Sequence, residues 1–367
     1  MCYFGCCRIK FRLTGQAFCR PFPSDSSDRR TNLAQFDFTE KGPKIIWFPF
    51  WLFVSSRPRQ WLKNLALFGP LIFEGAFFVP EKLYLIILGF IIFSVVTSAI
   101  YIINDVIDIE KDRAHPYKKR RAIAAGKIHP FLALFASIIF LAVGLFIASS
   151  ISTFFGIAAA AYTLLQIAYS LFLRSIILLD VMAIAGGFLL RIYAGAVLID
   201  AHVTVWFILT VVSLALFLAI GKRRSERTLL LAHKEKGLLT RKILAHYPDT
   251  LLDSLTVMFA TATWLSYTMF TFLQPPPVGP QVLVIFGDFL PRTLLASKWL
   301  MLTVPFVIYG VMRYLFVIYE KKEGESPERV LLSDTPLLTS VVSWGVLVFL
   351  IIYAGEILPS RFTHLLQ

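Results

Sequence analysis

Leu83-Tyr-Leu-Ile-Ile-Leu-Gly-Phe-Ile-Ile-Phe-Ser-Val-Val-Thr-Ser-Ala-Ile-Tyr-Ile-Ile103 runs without a charge and is followed at once by Asn104-Asp105-Val106-Ile107-Asp108-Ile109-Glu110-Lys111-Asp112. At about 1.5 Å per residue a helix over 83–103 spans the roughly 30 Å hydrocarbon core of a bilayer. The acids then fall at the membrane edge. A charge within the bilayer costs about 2.5 to 3.5 kcal/mol on insertion scales, so three aspartates abutting an apolar span imply a compensating cation or a functional use.

Outward from that stretch the chain carries further long apolar runs separated by charged or Pro-rich breaks. The 367 residues are 57% hydrophobic and 15% aromatic, with mean hydropathy +0.70. That is too apolar for a soluble multidomain protein, and no strand-like alternation points to a β-barrel. The fold class expected is an all-α polytopic membrane protein. About nine spans are expected: Leu65–Val79, Leu83–Ile103, Phe131–Ser149, Phe154–Phe172, Leu178–Ile199, Val203–Ile220, Leu251–Leu273, Leu294–Val317 and Leu337–Ile357.

The formal charge of +13 is lopsided. The loop 105–127 holds seven Lys/Arg and the loop 222–247 holds eight, with Arg313, Lys321, Lys322 and Arg329 on the same side. Opposite them stand Lys82, Arg292, Lys298 and Arg361. The positive-inside rule puts the N-terminus and large loops in the cytoplasm and the C-terminus outside the inner membrane. Residues 1–44 mix Ser, Asp and Arg without helical period and are expected to be a disordered tail ahead of a membrane domain over 45–360. All four cysteines lie in that tail, without zinc-ligand spacing, and no disulfide is expected on the cytoplasmic side.

If the helix continues past Asn104, Asp105, Asp108 and Asp112 share one face by their three- and four-residue spacing. Like charges on one stripe are reconciled by a divalent cation, and Mg²⁺ suits hard oxygen ligands shared with phosphate and water. His115, Lys118 and Arg121 follow closely enough to neutralise phosphates. Further candidates at the same membrane surface are Tyr169, Arg174 and Asp180 around a tight turn, Lys222 and Arg223 after the sixth span, and Lys63 before the first. Arg191 is the basic residue placed inside a span, about 16 Å along its helix from Asp180. An ion pair with Glu74 is expected for it, with substrate contact as the other reading.

Asn104, Asp105, Asp108 and Asp112 resemble the N-D-x-x-D-x-x-x-D motif of the UbiA superfamily of intramembrane prenyltransferases, a bundle of about nine transmembrane helices with Mg²⁺ and a diphosphate at its cytoplasmic mouth. The resemblance covers roughly 56–353. The chain departs from the ordinary prenyltransferase pattern at Asp180, which is followed by Val181-Met182-Ala183-Ile184 with no second acid. Arg57-Pro-Arg-Gln-Trp-Leu-Lys-Asn64, Gly187-Phe-Leu-Leu-Arg191, Gly221-Lys-Arg-Arg-Ser-Glu226 and Ser326-Pro-Glu-Arg-Val-Leu-Leu-Ser-Asp334 resemble instead its decaprenyl-phosphate phosphoribosyltransferase branch. Ala122 stands where that branch usually has proline, while Gly126 of the same loop is retained.

That resemblance implies transfer of 5-phosphoribosyl from phosphoribosyl diphosphate to a polyprenyl phosphate, in support of cell-envelope polysaccharide synthesis. Asp105, Asp108 and Asp112 become the expected Mg²⁺ ligands, and with Asp180 the catalytic set. Lys63, Asn104, Lys118, Arg121, Tyr169, Arg174, Arg191, Lys222 and Arg223 become the expected substrate contacts. The partners are these two substrates and the membrane, with homo-oligomerisation open and nucleic acid not expected. A prenyltransferase using an isoprenyl diphosphate, with an aromatic or haem acceptor, is the alternative within the superfamily. A transporter of polyprenyl-linked sugars is the alternative from another class.

Overall fold

A computed structural model describes residues 47–114, 118–232, 247–274, 298–321 and 327–357. The N-terminal tail with its cysteines, His115, the Pro275–Pro277 loop and Ser326 lie outside the described residues. Among the described residues the regular structure is entirely helical.

Among the described residues, seven helices are long and apolar enough to cross a membrane. They comprise α3 (Pro80–Ile107), α5 (Pro130–Ile151), α6 (Thr153–Leu171), α7 (Leu179–Leu198), α8 (Val205–Ala232), the rod Trp299–Glu320 built on α10 (Val304–Phe316), and α12 (Thr335–Ile357), with the short helices α1 (Phe48–Ser55) and α11 (Pro327–Ser333) beside them in the chain. Helices α3 and α5 open on proline at the first helical positions, where the missing N–H has no intrahelical acceptor to lose. The short hairpin between α5 and α6 is set by Ser152, whose Oγ accepts from the Phe155 N–H.

The two remaining expected spans take other forms. Helix α9 (Asp249–Leu273) has the length, but its Ser and Thr residues lower its hydropathy. Thr256, Thr263, Ser266 and Thr268 each donate to the carbonyl four residues back, so these hydroxyls enter the helix already satisfied. The first span starts earlier than Leu65 and is not a plain α-helix. It is a 3-10 helix over Pro58–Leu67 continued by α2 (Phe68–Phe73), and it ends before Val79. At rises of roughly 2.0 and 1.5 Å the pair reaches about 29 Å, enough for a membrane core with about four fewer residues than an α-helix needs.

Close packing explains the narrow 3-10 rod. A Cβ on Gly195 of α7 would come within 2.2 Å of the Leu67 carbonyl oxygen, so the two backbones touch where only glycine fits. Leu67, Leu71, Ile86, Phe93, Phe155 and Leu198 form the buried centre joining this rod to α3, α6 and α7. A second cluster, with Phe217, Ala260, Val311, Tyr314 and Leu337, holds α8, α9, α10 and α12. The last helix closes on the first rod: the Tyr353 hydroxyl donates to the Ile72 carbonyl at 2.9 Å and accepts from the Phe77 N–H at 3.1 Å. The outer faces stay apolar, with Phe131, Phe146 and Phe154 exposed as lipid contacts require.

The expected Arg191–Glu74 pair does not form. Glu74 caps the end of α2 and accepts from Lys82 at 2.7 Å, at the end of α3 opposite the acidic motif. Arg191 is used up locally: Nε donates to Asn64 Oδ1 at 2.8 Å, Nη1 to the Gly187 carbonyl at 2.9 Å and Nη2 to the Tyr162 hydroxyl at 2.7 Å. Neutral acceptors and the Tyr162 ring satisfy this buried guanidinium without a carboxylate.

Candidate active site

The acidic motif is not one straight stripe. Helix α3 ends at Ile107, Asp108 sits outside helical geometry, and α4 (Ile109–Ala114) starts anew, although Asp108 N–H still bonds Asn104 O and Asp112 N–H bonds Asp108 O. Asp108 at this break takes a different partner from its neighbours. Asp105 and Asp112, both buried, converge on the guanidinium of Arg121: a single nitrogen, Nη1, donates to Asp105 at 3.1 Å and to Asp112 at 2.5 Å. Asp105 also accepts from Arg57. Asp108 instead takes a two-pronged grip from Arg174, at 2.7 and 2.9 Å.

The loops that bring these arginines are built for it. Arg57 has left-handed backbone (φ 53°), unusual for a residue with a side chain, and lies 5.2 Å over the Tyr101 ring. Arg121 begins a turn in which Ala122, Ile123 and Ala124 are buried and Gly126 takes φ +72°, so the retained glycine does the work expected of it. Arg174 lies in the single 3-10 turn Leu173–Ser175 between α6 and α7.

Asp180, in the first turn of α7, is fully buried beside this turn. It accepts from Arg223 Nε at 2.6 Å and from the Tyr247 hydroxyl at 2.7 Å. Arg223 further donates to Glu226 at 2.6 Å and to the Tyr169 hydroxyl at 3.3 Å. Tyr247 in turn accepts from the N–H of Leu178, whose φ of 67° marks a strained turn. Lys222 lies 3.8 Å from Glu226.

Outside the spans the electrostatics are balanced by these partners. Burial pushes the Asp108 carboxyl up, but the hydrogen bonds and charge of Arg174, with Lys111 adding, outweigh it and hold it below the usual aspartate range. Arg174 is raised correspondingly, first by its hydrogen bonds to Asp108. Burial and the bond to Asp180 push the Tyr247 hydroxyl well above a free tyrosine's value.

Thus Asp105, Asp108, Asp112, Arg121, Tyr169, Arg174, Asp180, Lys222 and Arg223 are linked by direct contacts and short turns at one end of the bundle. Asn104 is half-buried there, and Lys118 is exposed on the adjoining 3-10 turn. Lys63 is half-buried six residues into the first rod; the contact with the motif comes from Arg57 of the same segment. Arg191 lies deeper, bound through Asn64 to Ser94 and Thr97 of α3. Arg57, Glu226 and Tyr247 were not selected as site residues by sequence; Arg57 and Glu226 stand inside the quoted basic segments, while nothing near Tyr247 signals its role.

Among the described residues no three His, Cys, Asp or Glu side chains gather to hold a metal by themselves. The donor chemistry nevertheless suits a hard divalent ion. Two buried carboxylates already share one cationic atom, and Mg²⁺ commonly takes one or two protein carboxylates and completes its shell with phosphate oxygens and water.

The profile of the UbiA prenyltransferase family matches residues 65–331, and the chain belongs to that family. A decaprenyl-phosphate phosphoribosyltransferase of Corynebacterium glutamicum is 31% identical over 310 residues, covering 83% of this chain and 86% of the relative. The protein of the same name from Mycolicibacterium smegmatis is 32% identical over 298 residues, covering 80% and 89%. A UbiA homologue from Archaeoglobus fulgidus, solved with DMAPP and Mg²⁺, superposes with a TM-score of 0.56 over 83% of this chain and 97% of its own, at 19% identity. The chain is therefore a multi-pass membrane transferase of this fold.

Proposed function

We propose that this transferase moves 5-phosphoribosyl from phosphoribosyl diphosphate to the phosphate of a decaprenyl-type polyprenyl phosphate. The bond from ribose C1 to the diphosphate oxygen breaks, a bond from C1 to the lipid phosphate oxygen forms, and diphosphate leaves. The observation that carries this reading is the match to the two phosphoribosyltransferases over most of both chains. The charge layout supports it, because four arginines from separate segments surround four aspartates at the end of an apolar bundle.

When bound, Mg²⁺ would neutralise charge developing on the departing diphosphate. Asp105 and Asp112 would hold it, with Asp108 next to them at the break. Arg57, Arg121 and Arg174 would then turn to diphosphate oxygens, with Lys118 and Lys222 at the rim. The Asp180–Arg223–Tyr247 cluster would fix the turn that carries Arg174. The outward apolar helices would accept the polyprenyl tail, and the basic loops would face the cytoplasm, with the N-terminus inside and the C-terminus outside.

Membranes containing the protein are supplied with phosphoribosyl diphosphate labelled in the ribose or with labelled prenyl diphosphate. Label is expected in the lipid phosphate from the first donor; label arriving from the second alone would establish the isoprenyl alternative.

A further inference from the structure

The charge at Asp105 and Asp112 is balanced by the protein's own groups. Two buried carboxylates face two guanidiniums, those of Arg57 and Arg121. A divalent ion added to this neutral group meets two fixed cations, whereas a metal accompanied by diphosphate brings anionic oxygens for those cations to hold. Arg121 is the partner placed to change hands. It bridges both carboxylates through one nitrogen, and its side chain is 30% exposed while theirs are 5% exposed. Its backbone is anchored by buried Ala122 and Ile123 and by the Ala125 N–H bond to the Arg121 carbonyl, so a change of partner needs only side-chain rotation.

Resting on the metal-diphosphate reading of this site, we propose that Arg121 is the resident counter-ion of the Asp105–Asp112 pair, that the divalent cation must displace it, and that the displaced guanidinium passes to the diphosphate. Metal and diphosphate then bind as a coupled pair, each weak alone, because the anion offsets the charge of the metal and gives the displaced guanidinium a new partner. Coupling of this kind is reciprocal.

The test uses the purified full chain, MgCl₂ and inorganic diphosphate, and reads apparent affinity from the rise of the thermal-unfolding midpoint with ligand. Inorganic diphosphate is the leaving group of phosphoribosyl and isoprenyl donors alike, so the outcome is independent of which donor labels the lipid. In the natural protein each ligand alone is expected to bind weakly and the other to strengthen it about tenfold. In R121Q, Mg²⁺ alone is expected to bind about tenfold tighter, with the coupling reduced to what direct coordination of Mg²⁺ by diphosphate supplies. Independent binding in the natural protein, or a variant with unchanged Mg²⁺ affinity, would overturn the proposal. Should R121Q not fold, R121K takes its place. A lysine reaches the two carboxylates less well, so about threefold tighter Mg²⁺ binding is expected, and unchanged binding again overturns the proposal.

Discussion

Arg223 and Asp180 form an ion pair sealed from solvent, Nε to Oδ2 at 2.6 Å, with side chains 1% and 0% exposed. The pair ties the start of α7 to α8 directly behind the turn that presents Arg174 to Asp108. Removing one partner of such a pair leaves an uncompensated buried charge, at a cost of about 3–5 kcal/mol. Asp180→Asn is therefore expected to lower the thermal-unfolding midpoint sharply. Combining it with Arg223→Gln is expected to recover part of the loss, as a double-mutant cycle would measure.

Asp108 predicts the opposite pattern. Its pair with Arg174 is 20% and 27% exposed, so Asp108→Asn is expected to leave the protein folded while reducing phosphoribosyl transfer about 100-fold, the scale for losing one electrostatic group at a reacting centre. Full retention of transfer in membranes would remove Asp108 from the site.

The same carboxyl sets a pH dependence. Its folded pKa lies below the ordinary value of 3.8, so its ion pair contributes stability fully above that value and loses it as pH falls through the lower folded pKa. The difference in midpoint between the natural protein and Asp108→Asn is expected to be flat from neutral pH to about 5 and to shrink only below about 4. A difference that fades between pH 7 and 6 would show that another group governs this contact.

Tyr247 bridges Asp180 and the N–H of the strained Leu178. Tyr247→Phe keeps the ring and leaves that N–H unpaired, a loss of about 1–3 kcal/mol. A variant as stable as the natural protein would mean that the bridge is incidental.

At Gly195 a methyl group meets the Leu67 backbone. Gly195→Ala is expected to cost about 1–3 kcal/mol by overpacking and to displace the rod that carries Arg57, so transfer activity should fall along with the midpoint. Unchanged stability would show that α7 and the 3-10 rod can separate freely.

Much of the candidate site was legible because its chemistry is local in the chain. Asp105, Asp108 and Asp112 are named by spacing, and Arg174 with Asp180 by a turn too short to place them elsewhere. The pairings were not. Spacing along an assumed straight helix put three acids on one face, whereas their partners differ: Arg121 for Asp105 and Asp112, and Arg174 for Asp108. The Arg191–Glu74 pairing failed because distance along separate rods says nothing of which neutral groups, here Asn64, Gly187 and Tyr162, already satisfy a guanidinium.

The amino-acid sequence by itself determined that this is a helical membrane protein with an acidic motif at the edge of an apolar span. Both conclusions follow from hydrophobic run length and the cost of charge in lipid, which are properties of contiguous residues. Tertiary structure alone decided that the first span is partly 3-10, that Arg57 and Tyr247 join the candidate site, and that guanidiniums from separate segments neutralise the carboxylates. Those features depend on which backbones and charges meet across helices distant in sequence.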